Sequence, residues 1–217
     1  MARITAIETQ KRHPDRVSIR LDGRDSFGLA PSVARGLRVG QDLDSAKIDG
    51  LQAEDAVESA YQRARRFLSV RTRSEAEISR YLLRHKIPES VVERTLSRLR
   101  RNQLADDGSF AQAWIENRSS FRPRSRRALT WELSRKGVPT ETVEAATVGL
   151  DDTELAWQAG SKHAHRLHGL AWADFRRRLY AYLSRRGFSA GVIGPVVAGL
   201  WQEKTAEKFP IENEDVP

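Results

Sequence analysis

Arginine and lysine side chains recur in clusters along this sequence, and their chemistry is its most evident feature. Four arginines fall within residues 122–127, three are consecutive at 176–178, and basic pairs precede a glycine at 135–136 and 185–186. A guanidinium presents a planar fork of donors that matches phosphates, carboxylates and base edges. We therefore predict a surface for an anionic partner. Its candidate residues are Arg71, Arg73, Arg122, Arg124, Arg126, Arg127, Arg135, Lys136, Arg176, Arg177, Arg178, Arg185 and Arg186.

The residues alone leave two interpretations of these clusters open. The pairs at 135–136 and 185–186 would lie in the last turn of a helix, where cations interact favourably with the helix dipole. An ordinary solvated face explains them equally well. The arginines at 122–127 would instead precede a helix, and a helix N-terminus favours acidic residues. We therefore expect this cluster to hold an anion at the helix start.

Residues for catalysis or metal binding form no comparable pattern. The chain has no cysteine, which excludes disulfides, cysteine-based zinc sites and thiol catalysis. It contains no phosphate-binding glycine loop and no G-x-S-x-G elbow, although a serine–histidine–aspartate arrangement stays open. His163, His165 and His168 have no carboxylate one turn away, so we expect a solvated or partly packed face there. We predict no metal and no cofactor, and the missing motifs disfavour enzymatic activity.

The charge distribution narrows the class of protein further. The formal net charge is +8, and residues 61–200 carry 26 Lys and Arg against 14 Asp and Glu. This excess favours an acidic partner, with nucleic acid the leading candidate. Apolar runs are too short for a membrane span, and charges alternate through residues 1–20, which argues against a signal peptide. We therefore expect a soluble, cytoplasmic protein.

The pattern of polar and apolar residues divides the chain into a β-rich start and a helical remainder. Residues 3–10 and 16–21 alternate with period two, and Asp22-Gly23 is a tight-turn signal before a third short strand. From Gly50 to about residue 200 the period is that of amphipathic helices. The chain from residue 203 onward is acidic and contains two prolines, which predicts a disordered tail.

A short phrase that occurs three times predicts an internal repeat. LSRKGVP at 133–139 and LSRRGFS at 183–189 are 50 residues apart, and LLRHKIP at 82–88 is a weaker copy with Lys86 in place of the glycine. Leu129 and Leu133, at i and i+4, share one helix face, and a glycine fits the left-handed residue that ends a helix. Each phrase therefore predicts a corner between two helices.

Two further residue types complete the expected module. Asp107 and Asp152 each stand three residues before an apolar residue, which predicts a capped helix N-terminus. Each unit would contain a capped helix, a phrase helix and a third helix, and three such units fit residues 61–200. Tryptophans at helical spacing belong to cores more often than to base-stacking platforms, so we expect a core position for each. They are Trp114, Trp131, Trp157, Trp172 and Trp201.

The ordered set of these motifs resembles the RecX family of recombination regulators. The resemblance covers residues 60–200, and the β-rich start is similar to an extension that some members carry. The family pattern includes a basic segment. This segment is followed by a phrase in which an acidic residue and a leucine come before Lys-Gly. The matching segments are Ser74-Glu75, Leu104–Asp107, Phe110-Ala111, Arg122–Arg127 and Glu132–Val138.

The resemblance implies a mainly α fold, an elongated array of three tandem three-helix modules, here preceded by a small β-rich N-terminal module. Lys86 departs from the pattern, as does an insertion-like stretch at 161–174. The expected ranges are 1–48 for the β-rich module, 49–103, 104–150 and 151–202 for the helical modules, and 203–217 for the acidic tail.

The resemblance also implies a negative regulator of homologous recombination and the SOS response that is not an enzyme. Such proteins bind the RecA recombinase in the groove of its filament on single-stranded DNA, limit filament growth and inhibit its ATPase and strand exchange. We expect a monomer that contacts single-stranded DNA directly or through the filament. The alternative is a protein that binds DNA through an arginine-rich edge without an obligate protein partner. Tight, steeply salt-dependent binding to naked DNA would favour that alternative.

Overall fold

The N-terminal strands predicted from the period-two pattern are present in the computed structural model, which describes residues 1–11 and 13–206. They form an antiparallel sheet in the order β3-β2-β1-β4. Asp22 and Gly23 both have positive φ, at 51° and 78°, as a two-residue hairpin turn requires. The strands are β1 Ala2–Gln10, β2 His13–Leu21, β3 Arg24–Leu29 and β4 Asp42–Leu43.

The sheet packs its apolar residues on two helices, α1 Pro31–Ala34 and α2 Ser45–Leu68, through a core that includes Ile4, Ile19 and Leu51. We expected the helical part to begin near Gly50, and this is wrong by five residues. The Asp44 carboxylate accepts a hydrogen bond from the Lys47 amide at 2.7 Å and so caps α2. The helix therefore crosses the expected limit at 48/49, and the module ranges stay predictions.

The rest of the described chain is helical and follows the expected order of a first helix, a phrase helix and a third helix in each module. The helix α2 is followed by α3 Glu75–Arg84 and α4 Glu89–Arg101. The next two sets are α5 Asp107–Phe121, α6 Arg126–Lys136 and α7 Thr140–Thr147, then α8 Asp152–Ala164, α9 Trp172–Ser184 and α10 Ala190–Ala206. The chain divides into two compact units, Met1–Asp106 and Asp107–Pro217.

Two sequence expectations about particular segments have different outcomes. The insertion-like stretch holds a 3₁₀ turn, His165–Leu167, between α8 and α9. Residues 203–206 were expected in a disordered tail but form the last turn of α10, where Lys204 lies 4.6 Å from the Trp201 ring. The remainder of that tail, 207–217, lies outside the described residues. The elongated shape expected for the array stays a prediction.

The three phrases form helix corners of the same kind, as predicted. Lys86, Gly137 and Gly187 have φ of 60°, 83° and 92°, the left-handed conformation that ends a helix. In each corner the next residue donates its amide to a carbonyl five residues back. These bonds are Ile87 to Leu82 at 3.3 Å, Val138 to Leu133 at 3.2 Å and Phe188 to Leu183 at 3.4 Å.

We expect Gly137→Val to lower the free energy of unfolding by about 1–2 kcal/mol, because a β-branched side chain is strained at positive φ. The reciprocal change, Lys86→Gly, should be neutral or slightly stabilising, since it removes such strain. Urea titrations of both variants followed by circular dichroism measure these differences. An unchanged denaturation midpoint for Gly137→Val would contradict the left-handed corner.

Candidate functional site

The corner after α9 contacts the start of α6, and this contact brings two of the predicted basic clusters together. The Ser125 amide donates to the Arg186 carbonyl at 3.2 Å, and the Arg186 guanidinium donates to the Pro123 carbonyl at 3.0 Å. Gly187 approaches closely, because a Cβ there would lie 2.6 Å from the Ser125 hydroxyl. We call this contact, residues 122–127 with 185–187, the corner junction.

The N-terminus of α6 already holds an anion, and that anion belongs to the protein. The Arg126 amide donates to the Asp152 carboxylate at 2.6 Å, and the Ala128 amide donates to the Ser125 hydroxyl at 3.2 Å. Our expectation that this helix start awaits a partner's anion is therefore wrong for the Arg126 amide. The expected cap role of Asp152 in its own helix is also wrong, since the neighbouring Asp151 caps α8 through the Thr153 amide at 2.7 Å.

Arg124 is half-exposed and belongs to an ion-pair network around the buried Glu132. Glu132 is 9% exposed and accepts from the Arg124 guanidinium at 2.9 Å. Its other oxygen accepts from the Arg118 guanidinium at 2.9 Å and from the Trp114 indole at 2.8 Å. Burying a carboxylate requires such partners. Arg124 thus ties the segment before α6 to the helix itself.

The exposed side of α6 carries an arginine, a tryptophan and a second arginine at successive turns. Arg127, Trp131 and Arg135 are spaced at i, i+4 and i+8, and the Arg135 guanidinium lies 4.7 Å from the Trp131 ring centre. We call these three residues the outer face of α6. Trp131 is 57% exposed, so the expected core position is wrong for it. The buried leucines, Leu129 and Leu133, fix the inward side and leave Trp131 on the other.

On α9, Arg176 and Arg177 border a shallow groove of about 580 Å³ between Trp172 and Tyr180. Trp172 is 40% exposed, which again contradicts the expected core position, although it also touches Trp201 at 5.4 Å between ring centres. The Arg177 guanidinium pairs with Asp174 at 2.7 Å. Arg178 is exposed on another side of the helix and does not line the groove.

The basic residues at the end of α6 and α9 differ in how they are held. Lys136 is half-buried with its ammonium 4.9 Å from the Trp114 ring centre, whereas Arg185 is exposed. The Arg186 guanidinium lies over the Tyr182 ring at 4.6 Å. These contacts make Arg186 part of the corner junction and leave Arg185 at its surface.

Arg71 and Arg73 lie in the first unit and are both held by intramolecular contacts. The Arg71 guanidinium pairs with Glu77 at 3.0 Å. The Arg73 guanidinium lies 4.1 Å from the Phe67 ring centre, and burial, together with the neighbouring Arg71 charge, lowers the pKa of Arg73. The ring of Phe67 in turn stacks on Tyr81 at 4.0 Å. The loop position predicted for these arginines is confirmed, but their charges serve local packing.

Histidine 163 stacks in parallel on Tyr182, with 3.9 Å between the ring centres. Burial lowers the pKa of His163, and the nearby charges of Arg166, Arg186 and Arg185 lower it further. Across residues 1–11 and 13–206, no group of three or more histidine, aspartate or glutamate side chains could hold a metal ion. His163 therefore lies on a partly packed face, as predicted from the sequence.

The lowered pKa of His163 predicts that stability falls as the medium becomes acidic. The ordinary pKa of histidine is about 6.5. Below this pH the unfolded chain binds a proton at His163 that the folded protein does not bind. The free energy of unfolding therefore decreases as the pH falls from that value towards the lower folded pKa. Thermal melts between about pH 7.5 and about pH 5 should show a smaller decrease in His163→Phe, which keeps the ring contact but cannot titrate. Equal pH dependence of the two proteins would contradict this.

Comparisons with known proteins extend over all the helical modules. Models of the first, second and third three-helix domains of RecX match residues 60–99, 106–146 and 151–197. The chain belongs to the RecX family. This is a family of regulatory proteins and not of enzymes.

Relatives and a solved structure agree with that membership. Regulatory protein RecX of Halalkalibacterium halodurans is 31% identical over 92% of this chain and 79% of its own length. The RecX protein of Streptomyces coelicolor is 33% identical over 81% of this chain and 94% of its own length. A crystal structure of regulatory protein RecX matches with a TM-score of 0.72 at 28% identity, over 90% of this chain and 98% of that one.

Within the described ranges 1–11 and 13–206, no helix combines the length and the apolar character that a bilayer crossing needs.

Proposed function

We propose that this protein binds the RecA recombinase filament on single-stranded DNA, limits filament growth and inhibits its ATPase and strand exchange. The observation that carries the proposal is the match of all three helical modules to the RecX family. A regulator of this kind acts by binding, and the protein offers exposed cations for an anionic partner. The proposal therefore requires a binding surface and no catalytic residue.

The surface that best suits this role joins the corner junction to the outer face of α6. Arg122, Arg126, Arg127 and Arg185 are exposed, and none of them has an ion-pair partner among residues 107–206. Trp131 adds exposed apolar area between two arginines. Aromatic and arginine side chains are the residues that most often anchor protein interfaces. The arginines can bind carboxylates of the recombinase or phosphates of the DNA it carries.

We expect the double variant Arg126→Glu/Arg127→Glu to lose at least about tenfold in its potency as an inhibitor of the filament ATPase, because it repels an anionic partner. Arg124 stays unchanged, since its reversal would place a second carboxylate beside the buried Glu132. The measurement is a titration of ATP hydrolysis by RecA filaments, with circular dichroism to show that the variant is folded.

The matched control is Arg35→Glu/Arg38→Glu, which changes the net charge equally on exposed residues of the N-terminal module. The control should keep the inhibitory potency of the unchanged protein. A folded Arg126→Glu/Arg127→Glu variant that inhibits with full potency would show that the corner junction is a solvated surface.

Direct DNA binding without an obligate protein partner is the second candidate function, and one observation favours it. Half-exposed aromatics, Trp131 and Trp172, stand beside arginines on both α6 and α9, and bases of single-stranded DNA stack on such residues. A salt series with naked single-stranded DNA distinguishes the two candidates. If DNA binding is the function, affinity is high, and the double variant reduces the slope of log K against log salt by roughly 0.7 per lost phosphate contact. If filament binding is the function, affinity for naked DNA is weak and changes modestly.

A further inference from the structure

A cationic cleft lies in the first unit, apart from all the arginines that the sequence singled out. It has a volume of about 390 Å³ and is bordered by β2, by α2 and by the corner between α3 and α4. Arg63 and Arg66 of α2 line it together with His85 and Lys86 of the corner. The N-terminal module supplies the opposite side through Arg16.

The backbone at Lys86 gives the first indication that the cleft has a function. Lys86 has a φ of 60°, whereas the equivalent positions of the other two corners are Gly137 and Gly187. A residue with a Cβ is strained in this conformation and glycine is not. Strained residues concentrate at functional sites, where the surrounding structure holds them in place. The side chain at this corner is an exposed lysine on the wall of the cleft.

The charges of the cleft give the second indication. Arg63 and Arg66 are one turn apart on α2 and share a face. Among the described residues of the first unit, no carboxylate pairs with Arg63, Arg66 or Lys86. The two acidic residues in the lining do not cancel this charge. Glu58 is held by the Arg98 guanidinium at 2.6 Å, and Asp15 is a single exposed carboxylate.

The N-terminal module fixes the cleft through a bridge between its sheet and α2. The Arg16 guanidinium pairs with Asp55 at 2.9 Å and donates to the Gly28 carbonyl at 2.8 Å. The same carboxylate accepts from the Ala30 amide at 2.6 Å. Asp55 is buried, so this bridge holds β2 and β3 against α2. The side of the cleft that the N-terminal module supplies is therefore held in a fixed position against α2.

We propose that this cleft binds phosphate groups of single-stranded DNA, with Lys86, Arg63 and Arg66 as the binding residues. The identity of the strand rests on the proposed function, in which the protein meets a filament on single-stranded DNA. A lysine ammonium is a point charge that suits phosphate, and arginine forks add directed hydrogen bonds. These cations extend from α2 to the neighbouring corner, and each phosphate that they neutralise releases counterions and so adds to the affinity.

Lys86→Gly tests the proposal because it separates stability from binding. The change removes backbone strain and one cation together, so the melting midpoint should stay the same or rise by up to about 2–4 °C while DNA binding weakens. Anisotropy of a labelled oligothymidylate of about 16 nucleotides measures binding by the full chain. The slope of log K against log salt should fall by roughly 0.7, which corresponds to about fivefold weaker binding near 0.1 M salt.

Two further variants act as controls. Gln103 lies two residues after α4 with a φ of 55° and does not line the cleft, so Gln103→Gly should raise the melting midpoint without changing the affinity for the oligonucleotide. Lys86→Gln keeps the backbone strain and removes the charge. It should therefore reduce the slope of log K against log salt by the same amount as Lys86→Gly. Arg66→Gln should reduce the slope by a similar amount.

The outcomes separate this proposal from the proposed function. Unchanged oligonucleotide binding in both Lys86 variants overturns the phosphate site, even if the protein inhibits RecA filaments. Unchanged oligonucleotide binding combined with weaker binding to DNA-free recombinase would identify a protein carboxylate as the ligand, and this also overturns it. Loss of slope in the Lys86 variants supports the phosphate site, even if the protein has no effect on filaments.

Discussion

Replacing Gly187 by alanine should lower the free energy of unfolding by about 3 kcal/mol. Two separate costs produce this value. At a φ of 92° a Cβ is strained, which costs about 1–2 kcal/mol. The new Cβ would also lie 2.6 Å from the Ser125 hydroxyl and 3.0 Å from the Ala128 Cβ, so the Ser125 cap or the corner must shift. Urea denaturation followed by circular dichroism measures the sum.

Gly169→Ala separates the two costs because Gly169 has a φ of 85° and no atom within 4 Å of an added Cβ. It should cost about 1 kcal/mol, from backbone strain alone. If Gly187→Ala costs no more than Gly169→Ala, the close approach of α9 to α6 is absent in solution. The corner junction could not then form the binding surface that we propose.

Replacing Glu132 by alanine should lower the free energy of unfolding by about 3 kcal/mol, which is at the lower end for breaking a buried ion pair. The variant leaves the Trp114 indole and the guanidinium groups of Arg118 and Arg124 without their shared acceptor. Solvent reduces the cost, since the two arginine side chains are 28% and 40% exposed.

Asp174→Ala is the comparison for that prediction, because the paired side chains of Asp174 and Arg177 are 51% and 73% exposed. Removing an exposed pair should change stability by at most about 0.5 kcal/mol. Similar costs for Glu132→Ala and Asp174→Ala would mean that the network around Glu132 is solvated and contributes little.

The helix corners could be predicted from sequence because each depends on residues that are close together in the chain. In the second module the left-handed residue, the basic last turn and the shared leucine face all lie within residues 129–137. Alignment of the phrases also placed Lys86 at the left-handed position. The cleft beside Lys86 could not be predicted, because a single sequence shows that lysine replaces glycine but not which residues surround the lysine side chain.

Most of the wrong predictions about the site involve contacts between residues that are separated in the sequence. Asp152 caps a helix that starts 26 residues earlier, and nothing in the local sequence distinguishes it from Asp151. Arg124 is half-exposed but pairs with Glu132, and the sequence does not indicate this contact because other elements bury that carboxylate. Trp131 and Trp172 show that helical spacing of aromatics does not decide which side of a helix packs inward.

The start of α6 is completed by residues from the following module, and this has a consequence for folding cooperativity. Asp152 and the Arg186 carbonyl satisfy its first amides, and Leu129 belongs to the apolar core of α8, α9 and α10. The second and third modules are separate in sequence, but they share these bonds. Amide hydrogen exchange in α6 should therefore follow the opening of α9, and a chain that ends before Asp152 should leave the Arg126 amide exchanging freely.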